Sequence, residues 1–203
     1  MKRQTVCKPP EGRGKLFWVD GFLSPTQCSA VLAELHYAFW QPSGVSYKGS
    51  NGTLASVTSP MRVSLSTDEY WFTPSLTRLV RAITQRLTPL VPRIAQRAEV
   101  WQATRYAAGG KFDYHHDAGH WREQRGGERA FTVLIYLDTP RRGGGTRFSE
   151  LKLEVKAQAG RLVVWRNLDR NGQCDRSMRH ASTPLAGGRK TVLVTWVRQR
   201  RCR

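Results

Sequence analysis

Acidic residues are scarce in this chain. Its 203 residues hold 15 Asp and Glu against 33 Lys and Arg, a formal net charge of +18. Cysteine is scarce too: Cys7, Cys28, Cys174 and Cys202 stand far apart and share no metal-type spacing, which excludes a zinc-finger or Cys-cluster reading. No window approaches 18 consecutive apolar residues, so no transmembrane helix is expected. The early charges of MKRQTVCKPPEGRGK precede no apolar h-region, so no secretory signal is read. The thiols are therefore expected to be free and the compartment to be the cytoplasm. Internal repeats are missing, as are C2H2, basic-heptad and RNA-binding aromatic signatures.

What is present is enough for one ordinary domain. Hydrophobic residues make up 39% and seven tryptophans are included, which supplies a core of normal size and excludes global disorder. Of the 33 basic residues, 21 lie in 101–203, opposed there by 9 acids. That balance brings an anionic partner into view, whether nucleic acid, membrane surface or acidic protein, beside the plainer reading of Arg-rich composition. The division expected is a basic extension over 1–15, a single domain over 16–198 and a basic tail over 199–203, with VRQRRCR as a solvated end.

Local patterns divide the domain again. LFWVDGFL (16–23) reads as a strand, and Ser24-Pro25-Thr26-Gln27 as a helix start with Ser at the cap and Gln three residues on. Val31, Leu32, Leu35 and Phe39 are expected on one face of that helix. Residues 42–60 form a polar Gly/Ser-rich stretch that reads as a long loop, and loops of that length are usually functional. A second helix is predicted from Thr73 to about Leu90, with Leu76, Leu79, Val80, Ile83 and Leu87 at helical spacing. From residue 99 the period becomes strand-like, with candidates at 99–106, 111–118, 129–138, 151–157, 160–167 and 189–198. Helical support over 24–90 followed by an all-β run over 99–198 suggests helices packed outside a sandwich or barrel, that is, a mainly β (α+β) chain.

His115-His116-Asp117 falls in one strand candidate, and side chains two apart on a strand share a face. His115 and Asp117 can thus reach one metal while His116 points away. A third ligand must come from elsewhere, and His180 is the distant histidine beyond the β-run. Two His and one carboxylate are the facial triad of non-heme Fe(II) oxygenases.

The surroundings of this triplet resemble the prolyl 4-hydroxylase-like branch of the Fe(II)/2-oxoglutarate (2OG) dioxygenases. Tyr106-Ala-Ala-Gly109-Gly110-Lys-Phe112-Asp-Tyr-His115-His-Asp117 follows the family's Tyr-x-x-Gly-x-x-(aromatic)-x-x-His-x-Asp run. Similar to the family, too, are TVLIYL (132–137), the Gly143-Gly144-Gly145-Thr146-Arg147-Phe148 turn and Gly160-Arg-Leu-Val-Val-Trp165. Asp169, Gly172, Asp175 and Ser177 precede His180 much as they do there. At the start, VDGFLSPTQC and Arg62-Val63-Ser64 resemble its N-terminal elements.

The resemblance implies a double-stranded β-helix (jelly-roll, cupin-like) core. It implies Fe(II) held by His115, Asp117 and His180, with 2OG and O2 as cosubstrates and ascorbate as a candidate reductant. It places Lys190, ten residues after His180, on the C5 carboxylate of 2OG; Lys190 shares its strand face with Val192, Val194 and Trp196, and Arg189 faces the other way. The Tyr106 and Tyr136 hydroxyls are expected to point at 2OG, Thr132 and Leu134 to line its pocket, and Trp196 to pack beside it. The carboxylate Asp117 favours hydroxylation over halogenation, where relatives carry a small residue.

For substrate contacts, the 42–60 segment is expected to form a mobile lid carrying Tyr47, with Trp40 nearby, and His120, Trp121 and Arg122 to stand at the pocket mouth. Three substrate readings compete: a prolyl residue in a peptide or protein, a free amino acid or small biosynthetic intermediate, and nucleic acid. The third is disfavoured, because demethylating relatives carry two arginines six apart after the distal histidine, whereas Arg189 and Arg198 stand nine apart. Arg122, Arg125, Arg129, Arg141 and Arg142 flank the metal strand and would favour an acidic peptide or other anionic substrate.

Overall fold

The computed structural model describes residues 14–49 and 53–202, together with the backbone of 6–7. Its core is a sandwich of two antiparallel sheets. The major sheet has eight strands, ordered Val6–Cys7, Leu16–Val19, Leu162–Arg166, Arg129–Tyr136, Lys190–Arg198, Gln102–Tyr106, Leu65–Asp68 and Gln41–Pro42. The minor sheet has five, ordered Leu153–Val155, Thr146–Phe148, His180–Ser182, Lys111–His115 and Arg62–Val63. This is the expected jelly roll.

Burial on both faces explains why the central strands read as near-continuous apolar runs. Val133, Ile135, Leu162, Val164 and Leu193 face the helices, while Tyr136, Val163, Trp165 and Val192 alternate with them and pack toward the minor sheet. Helix α1 (Pro25–Leu35) starts at the expected capping box: Ser24 Oγ accepts from Gln27 N–H, and Gln27 Oε1 accepts from Ser24 N–H. Helix α2 (Pro74–Leu87) is capped by Thr73 and buries Leu76, Val80, Ile83 and Leu87 against the major sheet, each worth about 1.5–3 kcal/mol of burial. No helix of the described residues is long and apolar enough to cross a membrane.

Several expectations are corrected. Residues 42–60 are not a loop: Gly44–Lys48 pairs with Leu54–Thr58 in an antiparallel hairpin. Both faces of the hairpin leave the core, so Ser and Thr occupy positions that apolar residues take in a half-buried strand. Phe39 lies beyond the end of α1, exposed and against Trp71, rather than on the helix's core face. The strand carrying His115 stops at that residue, and Asp117 follows in a bend. The C-terminal residues are held against the domain, although Arg200 and Arg201 remain exposed. Arg198 is buried, Arg200 donates to the Gln124 and Arg125 carbonyls, and the Cys202 thiol bonds Arg97 O. Cys28 and Cys174 are free thiols, and the Cys7 side chain lies outside the described residues.

Gly160 has φ +77°, and a Cβ there would sit 2.1 Å from Leu23 O. Gly21, at φ +65°, has open space around it. Gly160→Ala is therefore expected to lower unfolding stability by about 3 kcal/mol, against roughly 1 kcal/mol for Gly21→Ala, as read by urea denaturation. Equal losses would refute the close-approach account.

Candidate metal centre and adjoining pocket

Strand pairing brings the triplet together. His180 lies directly opposite His115 in the minor sheet, and the bend after His115 turns Asp117 toward both. The candidate ligand atoms lie within 4.8 Å of one another; His115 Nε2 and His180 Nε2 are 3.7 and 3.5 Å from Asp117 oxygens. His115 Nδ1 lies 2.8 Å from Asp113 O and His180 Nδ1 lies 2.9 Å from Met178 O. A carbonyl only accepts, so each Nδ1 carries the proton and each Nε2 presents a lone pair to the centre.

The electrostatics suit a cation. Burial first, then the neighbouring His180, holds His115 well below the ordinary histidine range, so it is a neutral ligand at pH 7. Burial alone would raise Asp117, but His180, His115, Arg129 and the Thr132 hydrogen bond outweigh it and keep the carboxylate ionised. Phe112 stacks on His115 at 3.7 Å, and Trp165 meets His180 edge-on at 4.8 Å, which fixes both rings. Two imidazoles and one carboxylate, clustered and open on one side, fit a non-heme Fe(II) ion.

A pocket runs from this centre between the sheets. At its inner end Lys190 is 1% exposed. Its ammonium donates to Ser182 Oγ at 2.6 Å and lies over the rings of Tyr106 (4.5 Å) and Tyr136 (5.6 Å). Lys190 makes no ion-pair contact with a carboxylate among the described residues, and burial, only partly opposed by the more distant Asp138, pulls its pKa down to about 7. Arg62, half-buried, also lines the pocket and bonds neutral acceptors such as Gly44 O and Ser66 Oγ. The indole N–H groups of Trp165 and Trp196 are buried without acceptors. Two cations that lack a contact ion pair and two unused indole donors around one pocket fit a small dianion such as 2OG.

The expected pocket residues Tyr106, Thr132, Leu134, Lys190 and Trp196 all line it. Tyr136 does not. It is fully buried behind the wall, and its hydroxyl is spent on Thr146 Oγ1 and Val155 O. Ser182, Thr146, Phe112 and Trp165 line the pocket without having been singled out as site residues. Ser182 was legible in principle, two residues from His180.

Outside the metal centre lies an open groove with His116, His120, Trp121, Arg129 and Trp196 on its walls. Arg129 is not a free loop cation. Both of its hydrogen bonds to Glu99 are 2.7 Å long, and its guanidinium sits between the rings of Trp196 (3.7 Å) and Trp121 (4.0 Å). The hairpin contributes Gly44, Val45, Ser46 and Ser56 to the groove, and Lys48 reaches Glu123 across it at 3.4 Å. Tyr47 is exposed and does not line the groove. Arg122 points away to Gln173, and Trp40 packs under Arg105.

Comparison with known proteins agrees with this geometry. Residues 101–198 match the model of the 2OG-Fe(II) oxygenase superfamily. Prolyl 4-hydroxylase subunit alpha-1 of Mus musculus is 30% identical over 158 residues, covering 72% of this chain and 30% of the relative; that of Gallus gallus is 31% identical over 158 residues, with 72% and 31% covered. This chain thus spans about a third of the length of those relatives. Among solved structures, the viral collagen prolyl hydroxylase of Paramecium Bursaria Chlorella virus-1, in a 2OG complex, superposes with a TM-score of 0.65 at 21% identity, covering 91% of this chain and 96% of that one. The Pseudomonas putida prolyl-4-hydroxylase gives 0.61 at 19%, covering 93% and 94%. A Trichoplax adhaerens prolyl hydroxylase, bound to a hypoxia inducible factor oxygen degradation domain peptide fragment, gives 0.64 at 13%, covering 92% and 84%.

The Lys190 geometry has a stability consequence. With a folded pKa near 7 and an ordinary lysine value of 10.5, the unfolded chain binds more protons between those values, so stability should rise with pH across that window. We expect ligand-free unfolding midpoints to climb from pH 7 to about pH 10, and Lys190→Met to be more stable at pH 7 with that climb flattened. An unchanged pH profile in Lys190→Met would mean that the ammonium is not desolvated.

Proposed function

We propose, for a chain whose residues 101–198 belong to the 2OG-Fe(II) oxygenase superfamily and whose relatives are prolyl 4-hydroxylases, that it hydroxylates a prolyl residue of a peptide or protein segment. The observation that carries this reading is the His115, Asp117 and His180 cluster, with both Nδ1 atoms tied to carbonyls, opening onto a pocket that ends in a partnerless buried Lys190.

When bound, Fe(II) with 2OG supplies the oxidative chemistry in which 2OG, O2 and an unactivated C–H become succinate, CO2 and an alcohol. The chain's own residues do the rest. His115, Asp117 and His180 hold the metal on one face and leave its other face toward the pocket. Lys190 and Ser182 take the far carboxylate of 2OG, and the cation gains the partner that burial denies it. Tyr106, Tyr136, Val192 and Leu134 keep that end dry or apolar. The groove walled by Trp121, Arg129 and Trp196 receives an extended peptide, and His120 stands at its rim. The hairpin Gly44–Thr58 acts as a lid over that groove, with the Lys48 to Glu123 contact spanning it.

Several finer readings remain part of the proposal. Ascorbate is the reductant that would restore Fe(II). The formal charge of +18 favours an acidic peptide over a neutral one. The free thiols suit a reducing compartment such as the cytoplasm. A free amino acid would fill only the inner part of so open a groove, which favours the peptide reading.

We expect 2OG-dependent succinate formation with Fe(II), stimulated by proline-containing peptides and not by free amino acids. It should fall at least 100-fold in His115→Ala, and a hairpin-shortened variant should show a raised KM for peptide. Stimulation by free proline alone would move the substrate to small molecules; a rate indifferent to ionic strength would remove the acidic preference.

A further inference from the structure

Behind Asp117 lies a buried chain of polar groups with a defined direction. Thr132 Oγ1 is 2.7 Å from Asp117 Oδ2, and Asn167 Nδ2 is 2.8 Å from the same hydroxyl. A hydroxyl has one proton. The ionised carboxylate can only accept, so Thr132 donates to Asp117, and the Asn167 amide must therefore donate to Thr132. All three residues are buried, at 9%, 1% and 3% exposure. Asn167 is in turn fastened by its backbone, its N–H donating to Ala130 O and its carbonyl accepting from Asp175 N–H. Asp175 pairs with Lys15, so the chain runs from the metal centre through the major sheet to the loop before His180.

We propose that Asn167 and Thr132 are positioning residues that fix the rotation of the Asp117 carboxylate at the metal centre, by holding Oδ2, the oxygen 3.5 Å from His180 Nε2, in a hydrogen bond. This rests on the metal-centre reading above. Without the Thr132 hydroxyl the carboxylate is free to rotate about its Cβ–Cγ bond, and without Asn167 the hydroxyl loses the donor that orients its lone pairs. A position two residues past the Trp165 strand face has no spacing relation to the triplet, so this role is visible only in three dimensions.

The test is Co(II) binding to the metal-free protein, followed by its visible absorption, which reports coordination number, and by Kd. Wild type should bind one Co(II). Thr132→Val should weaken it by about 10- to 100-fold with a changed spectrum, and Thr132→Ser should restore both. Asn167→Ala should weaken binding less, roughly 10-fold. The double variant Thr132→Val with Asn167→Ala should be no weaker than Thr132→Val alone. A mere folding defect would lower the stoichiometry and leave Kd and spectrum intact. If Asn167→Ala leaves Kd unchanged, or its effect is as large in the Thr132→Val background as in wild type, Asn167 does not act through Thr132 and the proposal is overturned. If wild type binds no Co(II), it is the metal-centre reading that fails.

Discussion

One strand pairing organises the site. His180–Ser182 runs antiparallel to Lys111–His115 with His180 opposite His115, and on the other side His180 lies opposite Phe148. That register places two imidazoles side by side on the minor sheet, centroids 4.3 Å apart and planes tilted by 59°, and leaves the bend after His115 to bring in Asp117. A slip by one residue would turn His180 to the other face and dissolve the cluster. The carbonyls of Asp113 and Met178, each two residues before its histidine, then choose the tautomer. Ligand identity, ring orientation and protonation thus follow from backbone geometry that the jelly roll imposes.

The second constraint is the low dielectric between the sheets. Lys190 and Arg62 line one pocket with no anion of their own, an arrangement costly to an empty fold and suited to a filled one. The ring faces of Tyr106 and Tyr136 and the hydroxyl of Ser182 make the cost bearable without satisfying the charge. Of the large formal charge, the part placed at the site is small. Arg129 and Arg198 are bound to Glu99, and Arg200 is spent on loop carbonyls, so these side chains stiffen the groove wall.

Much of this was legible in the chain. Helices α1 and α2 announce themselves by caps and by 3.6-residue periodicity, and the central strands by β-branched runs. The triad and Lys190 follow from spacing together with the family resemblance. What escaped has physical reasons. The hairpin strands Gly44–Lys48 and Leu54–Thr58 face solvent on both sides, so they lack the apolar alternation that marks a half-buried strand. Tyr136 was placed on the correct strand face, but periodicity gives side and not depth, and its hydroxyl lies behind the wall. Tyr47 sits on an outward position of the hairpin, and Arg122 turns to Gln173; neither direction is encoded in loop composition. Arg198 and Asn167 act through partners 99 and 35 residues away, Glu99 and Thr132, which no local pattern connects.

The most direct measurement is turnover under ¹⁸O2 with Fe(II), 2OG and a proline-rich peptide, with succinate and peptide analysed by mass spectrometry for the wild type and Asp117→Ala. If His115, Asp117 and His180 form the reacting centre of a 2OG oxygenase, succinate and hydroxylated peptide each gain one labelled oxygen, and both products vanish in Asp117→Ala. Unlabelled products, or labelled products that persist in Asp117→Ala, would contradict it.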